Sequence, residues 1–221
     1  VSDSGDEVTI GDRGSKDRIV WIDCEMTGLD LTRDALIEVA ALVTDSELNQ
    51  LGEGVDLVIA PPPEALASMN EVVRRMHTDS GLLDELAGGV TMAEATEAVM
   101  AYVRHWVPEP RKAPLGGNTV GTDRNFLARD MPELDAHLHY RIIDVSSIKE
   151  LSRRWYPRAY FAAPPKAGGH RALADITESI AELRYYREAV FVEPPGHTSE
   201  ELRAFALEHV VDHGSAAEAR S

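Results

Sequence analysis

The chain has 221 residues, 43% of them hydrophobic, and its 38 acidic against 22 basic residues give a formal charge of −16. That length and apolar fraction suit one compact domain with additions and exclude a disordered chain. The charge excludes a broad, non-specific grip on a long phosphate backbone. A short nucleotide is not excluded, because it carries few phosphates and a divalent cation can invert the local field.

No apolar run approaches the length of a membrane span, and the opening VSDSGDEVTIGDRGSKDR is polar and acidic. Neither a membrane segment nor a signal peptide is therefore expected, and the reading is a soluble, cytoplasmic protein. Cys24 is the single cysteine. It has no partner for a disulfide or a zinc site, so it reads as a core residue, and any metal must sit on oxygen or histidine.

Residues 1–17, rich in Gly, Asp and Ser, read as a flexible extension. Extended segments over 18–23, 35–44 and 55–60, closed by Pro61-Pro62-Pro63, predict an antiparallel meander. The first runs into WIDCEMTGLD. Strand alternation puts Trp21, Asp23 and Glu25 on one face, with Ile22 and Cys24 on the other. Two carboxylates on one face of a core strand repel, so the pair needs a proton, a basic partner or a cation.

A helix over 91–106 opens with Thr91 and Glu94 at capping-box spacing and places Ala95, Val99 and Val103 on one face. The short apolar segment 113–115 leads to Gly116-Gly117-Asn118, a helix carrying Phe126 and Leu127, a strand over 141–145 and a helix over 146–155. After the loop 162–169, the segment 170–189 reads as a helix with Leu173, Ile176, Ile180 and Leu183 at helical spacing. A last helix is expected over 199–211, before the polar end of the chain. Strands first, then alternating helix and strand, predict an α/β domain with a mixed sheet, helices on its faces and ligands near the strand ends.

Two further acids lie near glycine-bearing loops and helix starts: Asp123 in GGNTVGTDRNFL and Asp175 in GGHRALADITES. Four carboxylates meeting at one point would carry about four negative charges, which two divalent cations neutralise. Magnesium or manganese suits such oxygen ligands. His170, with an ordinary imidazole pKa of about 6.5, suits the role of general base. Spacing alone leaves a metal site and a set of solvated or capping acids both open.

The pattern Asp23-x-Glu25, Asn118-x-x-x-x-Asp123 and His170-x-x-x-x-Asp175 resembles the DEDDh 3′-to-5′ exonucleases on a ribonuclease-H-like fold. The segments WIDCEMTGLD, HTDSGL, GNTVGTDRNFL, MPELDAHLHYRIIDVSSIKEL and HRALADITESIAELRYYRE, in that order, are similar to oligoribonuclease. The resemblance covers about residues 17–192. It implies a mixed five-stranded sheet flanked by helices, with an exonuclease domain over 18–192; the extension over 193–221 lies outside the resemblance and is expected to hold one helix and a disordered tail.

What the resemblance implies for function is specific. A homodimer would remove nucleotides from the 3′ end of very short RNAs, above all dinucleotides, using two divalent cations, Mg²⁺ or Mn²⁺. Metal binding falls to Asp23, Glu25, Asp123 and Asp175, and the general base to His170. Leu29 would wedge against the bases, and Thr119, Arg141 and Ser146 would hold a 5′ phosphate. Tyr140 and Arg141 would reach the neighbouring subunit's site, and His77 joins the substrate-binding set. Where many members carry a base-stacking tryptophan, this chain has Val72. The alternatives are an exonuclease on single-stranded DNA or longer RNA, and a silent nucleotide-binding module; the complete set of acids and histidine disfavours the second.

Overall fold

The computed structural model describes residues 14–165 and 168–211. The flexible reading of residues 1–13 and the polar tail over 212–221 lie outside the described residues, as do positions 166 and 167 of the predicted loop. Residues 14–17, assigned to the extension by their composition, form a single 3-10 turn.

Apolar alternation builds the sheet outward from its central strand. β1 (Ile19–Met26) pairs antiparallel with β2 (Leu36–Thr44), and β2 antiparallel with β3 (Gln50–Val58). On its other side β1 runs parallel to β4 (Pro114–Gly117), which runs parallel to β5 (His139–Asp144). The order is β3-β2-β1-β4-β5, the expected mixed five-stranded sheet. β1 extends three residues beyond the predicted segment, so both acids lie within paired strand.

Pro63 opens the short helix α1 (Pro63–Ser68), followed by α2 (Glu71–Asp79) and α3 (Leu82–Glu85). α4 (Met92–Trp106) carries both reciprocal bonds of the predicted capping box between Thr91 and Glu94. α5 (Gly121–Asp130) and α6 (Pro132–His137) link β4 to β5. α7 (Val145–Trp155), α8 (Pro157–Ala162), α9 (Ala172–Val190) and α10 (Ser199–Glu208) complete the described chain. None of these helices is long and apolar enough to cross a membrane.

The two faces of β1 separate two cores, as the alternation requires. Val20, Ile22 and Cys24 pack with Val99, Val103, Phe126 and Leu127 of α4 and α5. Ile19 and Trp21 pack with Ile176 and Ile180 of α9. The Trp21 ring needs room where β4 passes: a Cβ on Gly116 would meet Ile19 Cγ2 at 2.8 Å and Trp21 at 3.0 Å. Asp23 and Glu25 continue the Trp21 face to the strand's end, where α9 begins.

Two helix boundaries differ from the sequence reading. α9 begins at Ala172 rather than at His170, because the Ala172 amide bonds the Glu38 carboxylate while Arg171 is extended and His170 sits in the left-handed region with φ 48°. α10 ends at Glu208, short of residue 211, and buries none of its residues.

Candidate active site

The carboxyl ends of three parallel strands converge beside the start of α9. β1 brings Asp23 and Glu25. The end of β4 delivers Asn118 and Thr119 and then Asp123 in the first turn of α5, while the end of β5 delivers Asp144 and Ser146. The chain's crossover places β1 and β4 side by side although they are far apart in sequence, and such switch points gather ligands in open α/β sheets.

At this junction one ligand atom each from Glu25, His170 and Asp175 lie within 4.8 Å of one another. Burial, reinforced by Asp123, Glu25 and Asp175, pushes the Asp23 carboxyl up to about 9. Burial and then Asp175, Glu38 and Asp123 push Glu25 up to about 8, against a lowering influence from Arg171. Asp123 rises to about 7, chiefly by burial, although its own amide and that of Cys24 favour the charged form. The Cys24 amide donates to Asp123 Oδ1 at 3.0 Å, tying α5 to the strand that carries the other acids. Cys24 itself is buried and unpaired, the core role its composition suggested.

These carboxyls are mutually incompatible as anions without a counter-charge. Their donor set, carboxylate oxygens with one imidazole, fits a hard divalent cation such as magnesium or manganese. Glu25 and Asp175, with His170, are the groups placed to hold it; Asp23 and Asp123 lie outside that 4.8 Å cluster but close enough to act on its charge.

A second set of residues fixes these groups from behind. Arg171 Nε donates to Glu38 Oε1 at 2.8 Å, and its other nitrogens reach Glu85 at 2.8 and 3.1 Å. His77 is wholly buried, with Nε2 2.9 Å from the Met26 carbonyl, so that nitrogen carries the proton. Its bare Nδ1 faces Glu25 Oε2 at 3.9 Å, too far for a hydrogen bond. Burial lowers the imidazole's pKa, which disfavours an ion pair with Glu25. The sequence reading placed His77 among substrate contacts; it lies beneath the β1 end, behind Glu25.

The remaining expected residues line the open side. Thr27 and Asp34 bind the loop 27–35 to itself: the Ala35 amide donates to Thr27 Oγ1 and the Asp30 amide to Asp34 Oδ2, each at 2.9 Å. This loop holds Leu29 outward, 73% exposed, so it is not a core leucine. Val72, 79% exposed, joins Met76, Gly168, Gly169 and His170 around a groove of about 440 Å³. Thr119 and Ser146 stand hydroxyl to hydroxyl at 3.0 Å. Tyr140 is exposed on the edge strand, with the Arg141 guanidinium 5.5 Å from its ring centre.

An exonuclease family model, RNase T, matches residues 20–183. An oligoribonuclease of Streptomyces avermitilis is 72% identical over 195 residues, 88% of this chain and 98% of its own. An oligoribonuclease of Streptomyces griseus is 73% identical over 190 residues, covering 86% and 94%. The chain belongs to the oligoribonuclease family. The enzyme class that follows is a 3′-to-5′ exoribonuclease. The fold is ribonuclease-H-like: Escherichia coli exonuclease I, solved with a dT13 oligonucleotide, superimposes with a TM-score of 0.60 at 17% identity. The match covers 87% of this chain but 44% of that one, so it speaks for the fold alone.

The sequence alone did not single out Glu38, Arg171, or the Ser179 and Glu182 partners of Asn118. Glu38 carried the signal that exposed Asp23 and Glu25, a carboxylate in an otherwise apolar strand, ALIEVAALVT. Its partner, Arg171, is 133 residues away, beyond the reach of any local pattern.

Proposed function

We propose that this chain hydrolyses very short oligoribonucleotides, dinucleotides above all, from the 3′ end to 5′-mononucleotides with two divalent cations, Mg²⁺ or Mn²⁺. The observation that carries this reading is the convergence of Glu25, His170 and Asp175 within 4.8 Å, beside carboxyls that cannot all ionise unaided. When bound, such ions neutralise the carboxylates and stabilise the negative charge that builds on a phosphodiester under attack. His170, on a loop outside the helix and exposed to the groove, takes the proton of the attacking water.

Substrate contacts fall to Leu29 as a wedge between bases, and to Thr119, Ser146 and Arg141 as the seat of a 5′ phosphate. A planar guanidinium and two hydroxyls suit a terminal phosphate and oppose a chain that continues past it. His77 acts through Glu25 and Met26 instead of touching the substrate. The exonuclease domain spans 18–192, and 193–221 is an addition.

A homodimer is supported by the exposed large apolar side chains of the edge strand, Tyr140 and Ile142, and of the segment that follows it, Leu151, Trp155, Tyr156 and Phe161. Tyr140 and Arg141 would then serve the neighbouring subunit's site. The single buried thiol suits a reducing cytoplasm.

The test is the cleavage rate of 5′-phosphorylated RNAs from two to seven nucleotides, with Mg²⁺ and then Mn²⁺, against Asp175→Ala as the blank. A steep fall beyond two nucleotides supports the dinucleotide reading. A flat profile keeps the exonuclease but assigns it a wider range of short RNAs, which exposed Val72 in place of an aromatic platform would favour.

A further inference from the structure

The pairing of the last two strands breaks at one place. From Leu115 with Ile142 to Gly117 with Asp144, β4 and β5 keep regular parallel register, but Pro114 pairs with His139. The step from Pro114 to Leu115 is one residue on β4, while the matching step on β5, from His139 to Ile142, is three. Tyr140 and Arg141 are therefore more chain than β4 can oppose, and the edge strand bulges there. Backbone in a bulge loses its ladder partners and needs others.

Two side chains supply them. Arg124, on α5, donates from Nη1 to the His139 carbonyl at 3.1 Å and to the Tyr140 carbonyl at 3.2 Å. That nitrogen carries two hydrogens, so it serves both acceptors. Nε of the same guanidinium donates to Asp135 Oδ1 at 2.9 Å, which ties the planar fork to α6. The Arg141 amide donates to His139 Nδ1 at 3.1 Å, so the imidazole proton is on Nε2. The His139 ring also lies against the Tyr140 ring, with centres 4.4 Å apart and planes tilted by 31°.

The bulge changes where two side chains point. Neighbours in a regular strand face opposite sides, yet the Arg141 guanidinium lies 5.5 Å from the Tyr140 ring centre and both residues are exposed. The Arg124–Asp135 pair is 21% and 29% exposed, and ion pairs in contact with water add little to stability. What the guanidinium gives is placement: a rigid fork binds two carbonyls and a carboxylate at once, which the point charge of a lysine does not reproduce.

We infer that Arg124 and His139 are positioning residues that hold the β5 bulge, so that Tyr140 and Arg141 stand together for the site of the neighbouring subunit. The inference rests on the proposed homodimer in which Tyr140 and Arg141 serve that site. It gives Arg124, the residue after Asp123, a task in the neighbour's site instead of its own.

The test is complementation between subunits. Arg124→Ala and His139→Phe are each mixed in equal amounts with Asp23→Ala, allowed to exchange, and assayed on a 5′-phosphorylated diribonucleotide with Mg²⁺; Tyr140→Ala with Asp23→Ala is the control pair. Melting temperature and light scattering report whether each variant is folded and dimeric. His139→Phe keeps a ring against Tyr140 while removing the acceptor of the Arg141 amide, and it carries the test if Arg124→Ala does not fold. Alone, each variant is expected to lose about tenfold to a hundredfold in rate. In a hybrid with Asp23→Ala, the variant's own acids meet an intact bulge from the neighbour. Half of the dimers are such hybrids with one complete site each, so about a quarter of the wild-type activity should return.

A mixture no more active than the mean of its parts, where the control pair does recover, overturns the inference and makes Arg124 a support of its own subunit's Asp123. Wild-type activity in the folded variants alone overturns it too, as does a folded variant that is monomeric, which assigns the bulge to assembly. A control pair that does not recover overturns the cross-subunit role of Tyr140 and the inference with it.

Discussion

Arg171, the residue after His170, bonds a Glu38 carboxylate that is wholly shielded from solvent, and the adjacent Ala172 amide bonds the same carboxylate at 3.2 Å. One buried acid on β2 therefore both starts α9 and anchors the loop that presents His170. Glu85 holds the outer side of the same guanidinium.

Loss of this anchor should damage catalysis by misplacing His170. Glu38→Ala removes the acceptor of Arg171 Nε and of the Ala172 amide, and because the guanidinium is partly exposed and keeps Glu85, the cost falls below the roughly 3–5 kcal/mol of a fully buried pair. Glu38→Gln is the better probe, because it keeps an acceptor and the volume. We expect Glu38→Gln to fold and to lower kcat by about tenfold to a hundredfold with little change in KM, since small displacements of a reacting group cost that much. Urea denaturation and steady-state kinetics measure the two effects separately. Unchanged kcat in a folded variant would mean that the Glu38–Arg171 pair holds the helix but not the histidine.

The raised carboxyls set a pH dependence of stability with a definite sign. Unfolded, aspartate and glutamate titrate at about 3.9 and 4.3. Folded and without metal, Asp123, Glu25 and Asp23 titrate at about 7, 8 and 9. Between these ranges the native state binds more protons than the unfolded state, so the unfolding free energy falls as pH rises. In chelator, the melting temperature should drop from about pH 5 to about pH 9. Divalent cations need the ionised ligands, so the stabilisation by Mg²⁺ or Mn²⁺ should grow over the same interval. A chelated protein whose melting temperature is flat or rising there does not carry those protons.

The sequence was most readable where local chemistry decides the structure. Alternation in WIDCEM put two acids on the Trp21 face, and Thr91 with Glu94 started α4 as expected. The break read at Pro61-Pro62-Pro63 is also a helix start, and Pro63, like Pro132 and Pro157, begins a helix at the position where a missing amide hydrogen costs nothing. Long-range pairs were invisible for a different reason. Asn118 and Ser179 lie 61 residues apart, and the left-handed backbone of His170 depends on a bond from its neighbours to Glu38 on another strand.

Val72 offers a gain of function. Its side chain is exposed at the groove that His170 lines, where an aromatic ring would face a base. Stacking a base on an aromatic side chain is worth about 1–3 kcal/mol, equivalent to about fivefold to 150-fold in affinity. Val72→Trp should therefore lower KM for a diribonucleotide within that range, with stability little changed because the position is on the surface. An unaltered KM would show that position 72 does not meet the base.

The exposed Tyr140 leads to a test of subunit exchange. It stands 74% exposed on the edge strand, and in the proposed homodimer a second copy would cover it and receive its hydroxyl. Trp155→Glu should then yield a monomer by light scattering, with most activity lost. Tyr140→Ala and Asp23→Ala should each be nearly inactive alone. Mixed in equal amounts and allowed to exchange, half of the dimers become hybrids, and each hybrid holds one site with both Asp23 and a Tyr140 from its neighbour. About a quarter of the wild-type activity should return. If Tyr140 serves its own subunit, no hybrid site is complete, and the mixture stays as inactive as its parts.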